Sequence, residues 1–172
     1  MMNRRCFKNT VWMTFITLSA LGILSCNEGR EQHDDSGNLN TNVIFPKGER
    51  VTNTNFTGTV YVHSLIEGDS LNQNSVGNVT FAPGARSKWH SHPAGQILLV
   101  TDGVGYYQEK GKAKQVLRKG EVIKCPPAIP HWHGASADTA FVQVAITGRQ
   151  SGPTVWLAAV TEEEYHSDQP KK

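Results

Sequence analysis

HSHPAGQ, residues 90–96, is the stretch that decides the fold. Along an extended strand, successive side chains alternate between faces, so His90 and His92 project together. Gln96 shares their parity, although Pro93, Ala94 and Gly95 interrupt the strand between them. Three polar groups gathered on one side of a strand are either a wet surface or a donor set, and the flanking residues bear on the choice. Gly84 is followed by five residues, His90, one residue, His92, three residues, Gln96, six residues and Gly103. After sixteen intervening residues, Gly120 opens a second pattern of five residues, Pro126, one residue, Ala128, two residues and His131. His133 follows at the parity of His131.

From Val43 onward the texture is that of strands. TGTVYVHSLI (57–66), GNVTFAPG (77–84), GQILLVTDG (95–103), VGYYQEKG (104–111), KQVLRKGEVIKCPP (114–127), TAFVQVAI (139–146) and PTVWLAAV (153–160) are short apolar or alternating runs. Gly, Pro, Asn and Asp separate them, a rhythm that suggests a sandwich or barrel. Gly103, Gly105, Gly111 and Gly120 are expected in turns, where positive φ costs glycine little. The one helical signal is TEEEYH (161–166), in which Thr161 and Glu164 have the spacing of a capping box.

The two spaced patterns resemble the paired motifs of the cupin superfamily. Gln96 stands where most members carry glutamate, and Ala128 and Ala135 stand where the second motif has glycine and asparagine. FTGTVYV, HSHPAGQ, PPAIPHWHGAS and VTEEEY together resemble the small single-domain bacterial cupins. That group includes manganese-dependent hydroxynitrile lyases and relatives linked to carboxymuconolactone decarboxylases, in which glutamine is the third ligand. The resemblance implies an all-β jelly-roll barrel over residues 43–166, closed by a short C-terminal helical turn. It implies a metal inside, held by His90, His92, Gln96 and His131. Lyase-like members carry a further histidine in the strand read here as TAFVQVAI. Gln143 occupies that place, so weak or absent cyanohydrin cleavage is expected, with proton transfer left to His133 or to water on the metal.

Three imidazoles and an amide are all neutral, so a divalent ion among them keeps its full charge as a Lewis acid. Imidazole with a hard amide oxygen suits Mn²⁺ or Fe²⁺, with Zn²⁺, Ni²⁺ and Co²⁺ as alternatives. His133 is the candidate acid or base; the plainer role is a hydrogen bond at the barrel mouth. By parity, Gly77, Val79, Phe81, Leu98, Val100 and Gln143 line the substrate pocket. Trp89 and Trp132 have the opposite parity and read as packing residues, while Arg86 and Lys88 are expected outside the barrel. His63 reads as an ordinary strand histidine, and His33 and His166 as bystanders. The leading function is a metal-dependent lyase or dioxygenase-like oxidoreductase acting on a small organic substrate. The alternative is a non-catalytic module that binds metal and a small molecule.

The first 25 residues differ from the rest. Arg4, Arg5 and Lys8 precede the apolar run VWMTFITLSALGIL, the layout of a secretory signal. The run ends in ILSC, which resembles a bacterial lipobox with Cys26 as the lipidated residue. The alternative is a short uncleaved anchor, although a bilayer needs about 20 apolar residues. Residues 26–42, almost without large apolar side chains, read as a tether, and 167–172 as a tail. A membrane-held protein facing the periplasm or the exterior is therefore expected. Loss of the signal changes 17 basic against 15 acidic residues into 14 against 15, and no basic patch argues for nucleic acid. Cys125 would then be a lone buried thiol. A homodimer is expected, with Val43–Phe45 placed to cross to a partner.

Overall fold

The computed structural model describes residues 44–168. Backbone contacts divide the chain between Asn38 and Leu39, and the described residues all belong to the second unit. The expected signal segment, Cys26 with all of its expected tether, and the last four residues lie outside them.

Twelve strands and one helix follow in order: β1 (Glu49–Arg50), β2 (Phe56–Thr57), β3 (Val60–Ile66), β4 (Asn74–Phe81), β5 (Arg86–Ser87), β6 (His90–Ser91), β7 (Gln96–Glu109), β8 (Gln115–Arg118), β9 (Val122–Cys125), β10 (His131–Ala135), β11 (Phe141–Gly148), β12 (Val155–Trp156) and α1 (Glu162–His166). The pairing is antiparallel, in the order β1-β3-β4-β11-β7-β10-β5-β2, with β9 and β8 on β7, β6 on β10 and β12 on β6. The sheet curls into the half-barrel of an all-β jelly roll.

β7 corrects one expectation. The runs 95–103 and 104–111 are not two strands around a glycine turn; they form one strand of 14 residues. Its first half pairs with β11 and β9, and its second half with β10 and β8. Gly103 makes the corner with φ of +75°, where a Cβ would lie 1.9 Å from the Ala140 carbonyl oxygen. Gly105 has no positive φ. It is needed because β10 and Phe141 approach so closely that a Cβ would meet the Phe141 ring at 2.4 Å. The run 114–127, by contrast, splits at Gly120 into β8 and β9.

Alternation on these strands builds the interior. Val60, Val79, Phe81, Leu98, Val100, Tyr107, Cys125 and Phe141 share one buried apolar cluster. Trp89 and Trp132 point the other way, as their parity requires, and pack with Val160 and Tyr165 in a second cluster beneath α1. The expected capping box is present: the Thr161 hydroxyl accepts from the Glu164 amide at 3.1 Å, and the Glu164 carboxylate accepts from the Thr161 amide at 3.0 Å. Tyr165 then donates its hydroxyl to the Ala135 carbonyl at 2.9 Å. Arg86 lies on this outer side yet is buried, bonded to Glu162 at 2.6 Å and to the Val160 carbonyl. Ile44 and Phe45, the described part of the expected partner-crossing segment, form a bend, and Ile44 is exposed.

Candidate metal centre

β6 and β10 run side by side with His90 directly opposite His131. That register brings the two histidine patterns of the sequence together. The ring centroids of His90 and His131 are 4.4 Å apart, those of His90 and His92 5.0 Å, and those of His92 and His131 5.5 Å. One nitrogen from each of the three rings falls within 4.8 Å of the others. All three residues are buried.

Each ring is held from behind. The Nδ1 of His90 meets the Lys88 carbonyl at 2.9 Å, and the Nδ1 of His131 meets the Ile129 carbonyl at 2.9 Å. A carbonyl only accepts, so both rings carry their proton on Nδ1 and turn an Nε2 lone pair inward. His92 places its Nδ1 3.1 Å from the Thr154 hydroxyl. The Nε2 atoms of His92 and His131 are buried with no hydrogen-bond partner in the protein. Gln96 follows the same plan: its Nε2 donates to the Thr147 hydroxyl at 2.9 Å, which leaves the amide oxygen beside Cys125 and the His92 ring.

Burial keeps these rings neutral. It lowers His90 well below the usual imidazole range, assisted by the neighbouring His131, and lowers His131 as well. His92 falls to about 3, through burial first and then His131 and Arg149. Neutral, inward-facing imidazoles with orphaned lone pairs are a donor set for a cation. The three histidines fit a divalent metal site.

His133 sits beside this triad, 6.1 Å from the His131 ring and edge-on to Phe81. Burial keeps it neutral too. Its Nδ1 accepts from the Gln143 amide nitrogen at 2.9 Å. A neutral ring that accepts at Nδ1 bears its proton at Nε2, so His133 presents a donor to the site. Val79, Phe81, Leu98 and Val100 lie on the same inner face, packed into the core. Gly77 lines an open cavity of about 270 Å³ together with Val62, Ala145, Thr147 and Arg149. His63 is not in the histidine cluster, and His166 pairs with Glu162 on the surface.

Five residues were not anticipated: Ala145, Thr147, Arg149, Thr154 and Trp156. Thr147 and Ala145 share the parity of Gln143 on β11, a signal that counting along the strand would have revealed. Thr154 and Trp156 come from a segment legible only as a strand. β12 sets Trp156 opposite His90, with the rings 4.9 Å apart, so an indole borders the site.

Comparison with known proteins agrees with this geometry. Residues 77–147 match the cupin domain model. The chain is 42% identical over 111 residues to an (R)-mandelonitrile lyase from Granulicella tundricola, covering 64% of this chain and 85% of that protein. A crystal structure of a cupin-like protein from Thermotoga maritima superimposes with a TM-score of 0.69 at 45% identity, over 75% of this chain and 98% of that one. A cupin-2 domain protein from Rhodospirillum rubrum, 18% identical, shares the fold with a TM-score of 0.55 over 70% of this chain and 80% of its own. With the histidine triad inside a jelly roll and two relatives above 40% identity covered over 85% and 98% of their length, the chain belongs to the cupin superfamily as one of its small bacterial members.

Proposed function

We propose that this cupin is a metal-dependent enzyme acting on a small organic molecule, with His90, His92, Gln96 and His131 holding one divalent ion, manganese or iron before zinc, nickel or cobalt. The observation that carries the reading is the pair of buried Nε2 atoms on His92 and His131, each without a protein partner while its ring is pinned at Nδ1. Leaving a buried polar atom unmet costs about 1–3 kcal/mol. A shared cation between the rings removes that cost.

When bound, the ion supplies Lewis acidity, undiminished because every donor is neutral. The rest of the chemistry belongs to the chain. The carbonyls of Lys88 and Ile129 fix the tautomers of two ligands, and Thr147 holds the amide nitrogen of Gln96, which leaves its oxygen to serve as a donor. Gln143 holds His133 at Nδ1, which leaves its buried Nε2–H without a protein partner and able to donate to a bound substrate. A donor in that place steadies negative charge that develops on a substrate; a proton acceptor there would require the opposite tautomer.

The relative named (R)-mandelonitrile lyase favours lyase chemistry as the reaction class. Cleavage of a cyanohydrin must take the proton from the substrate hydroxyl, and Gln143 leaves His133 unsuited to that task. The expected native activity on mandelonitrile is therefore weak. The same tautomer is what favours the second reading, a module that binds metal and ligand without turnover. The test of the metal assignment is elemental analysis of the purified protein and of His92→Ala. Stoichiometric metal in the parent, and loss of most of it in the variant, is expected. Full metal content after the loss of both His90 and His92 would overturn the assignment.

A further inference from the structure

We propose that Arg149 is the anion-recognising residue of the cavity over Gly77 and Ala145, and that the ligand taken there is a small carboxylate. This deepens the reading above and rests on it.

The cavity exists because two neighbouring positions on the inner face are small. Gly77 and Ala145 are paired across β4 and β11, one step toward the open end from Val79 and Gln143. One step further is Thr147, whose hydroxyl both lines the cavity and accepts from Gln96. A molecule over Gly77 and Ala145 thus lies next to the residue that orients a ligand of the metal. The volume of about 270 Å³ admits a molecule with one ring, and besides small apolar and hydroxyl residues its lining carries two charged side chains, Glu67 and Arg149.

Arg149 supplies the cation at its rim. The Nε donates to the Ser75 hydroxyl at 2.9 Å and Nη1 to the Thr154 hydroxyl at 3.4 Å. Thr154 in turn touches His92, so the guanidinium is two hydrogen bonds from the triad. A guanidinium has five N–H donors, and these contacts occupy two of them. Among the described residues Arg149 forms no ion pair, whereas Arg86 is committed to Glu162. A positioned guanidinium with donors to spare matches a carboxylate, and charge-assisted bonds of this kind are about twice as strong as neutral ones. Glu67 is the one acid lining the cavity, and it accepts from the Ser64 hydroxyl. Its charge opposes an anion, so Glu67→Gln should tighten carboxylate binding.

The probes are (R)-mandelate and its uncharged isostere (R)-mandelamide, titrated by calorimetry into the full chain loaded with manganese. Mandelate should bind at least about tenfold more tightly than mandelamide. Arg149→Gln should erase that preference, leaving the mandelamide affinity and the metal content unchanged, and Arg149→Lys should keep part of it. Gly77→Leu should exclude both ligands with metal retained, since a Cβ at 77 meets nothing closer than 3.7 Å and the added bulk enters the cavity. Equal affinities for the two probes, or a preference that survives Arg149→Gln, overturns the inference. Should the parent hold no metal, it is the metal reading that fails, and the same pair of titrations on metal-free protein decides the carboxylate site alone.

Discussion

Gln143 and His133 show how one side chain sets the chemistry of another. The glutamine amide donates to Nδ1 and thereby assigns the proton to Nε2. Replacing Gln143 by histidine would place a second imidazole at this position, one that can accept a proton. Positioned bases contribute about 10²–10⁴-fold, so Gln143→His should raise mandelonitrile cleavage by about 10²-fold, followed as benzaldehyde release. No increase in a variant that keeps its metal would show that Gln143 is not what limits this reaction. Burial has a second consequence at this scale. His92 is lowered from 6.5 to about 3, and His90 and His133 are lowered too. Between those values the unfolded chain takes up protons that the folded chain refuses. Stability is thus full above pH 6.5 and declines as pH falls, by about 1.4 kcal/mol per pH unit for each such histidine. The melting temperature of metal-free protein should be level from pH 8 to 7 and drop below pH 6 in calorimetry; a rise on acidification would contradict this. Most of these residues were legible in the sequence, because two-residue periodicity puts His90, His92 and Gln96 on one face. Thr154 and Arg149 were not, because each reaches the site from beyond a strand end, where parity says nothing.

Among the elements, β7 departs furthest from its sequence pattern. Glycines at 103 and 105 read as a turn between two strands, yet only Gly103 takes a positive φ. The local signal for a hairpin and for a corner within one strand is the same. What distinguishes them is a partner on each side, β11 before the corner and β10 after it, and those pairings are remote in sequence. Gly105 is then a packing position. Gly105→Ala would drive a methyl group into Phe141 and the Gly134 carbonyl, both about 2.5 Å away. Overpacking of this kind costs about 1–3 kcal/mol, which lowers the melting temperature by roughly 2–4 °C per kcal/mol for a chain of this size. A scanning calorimetry trace for Gly105→Ala that overlays the parent would refute the close-packed corner. α1 is the opposite case. Thr161 and Glu164 specify their own turn, and the capping box was visible because it depends on residues three apart.

For the whole molecule, the barrel with its candidate metal centre follows an N-terminal segment whose sequence reads as a leader. The Cys26 lipid anchor proposed from ILSC would hold that barrel at a membrane through a polar tether. Cys26→Ser is expected to abolish incorporation of labelled palmitate and to release the protein into the soluble fraction; retention at the membrane would instead favour an uncleaved anchor. The barrel itself carries a consequence that concerns time. β7 pairs with β11 and β9 in its first half and with β10 and β8 in its second, so both walls of the barrel depend on it. The contacts that finish the site join residues far apart, Gln96 with Thr147 across 51 positions and His92 with Thr154 across 62. Closing such long loops is slow compared with forming helices, on the order of milliseconds to seconds for barrels of this kind. A donor set that depends on such distant pairings is expected to assemble late in folding, and until then nothing but chain connectivity relates His131 to His90 and His92.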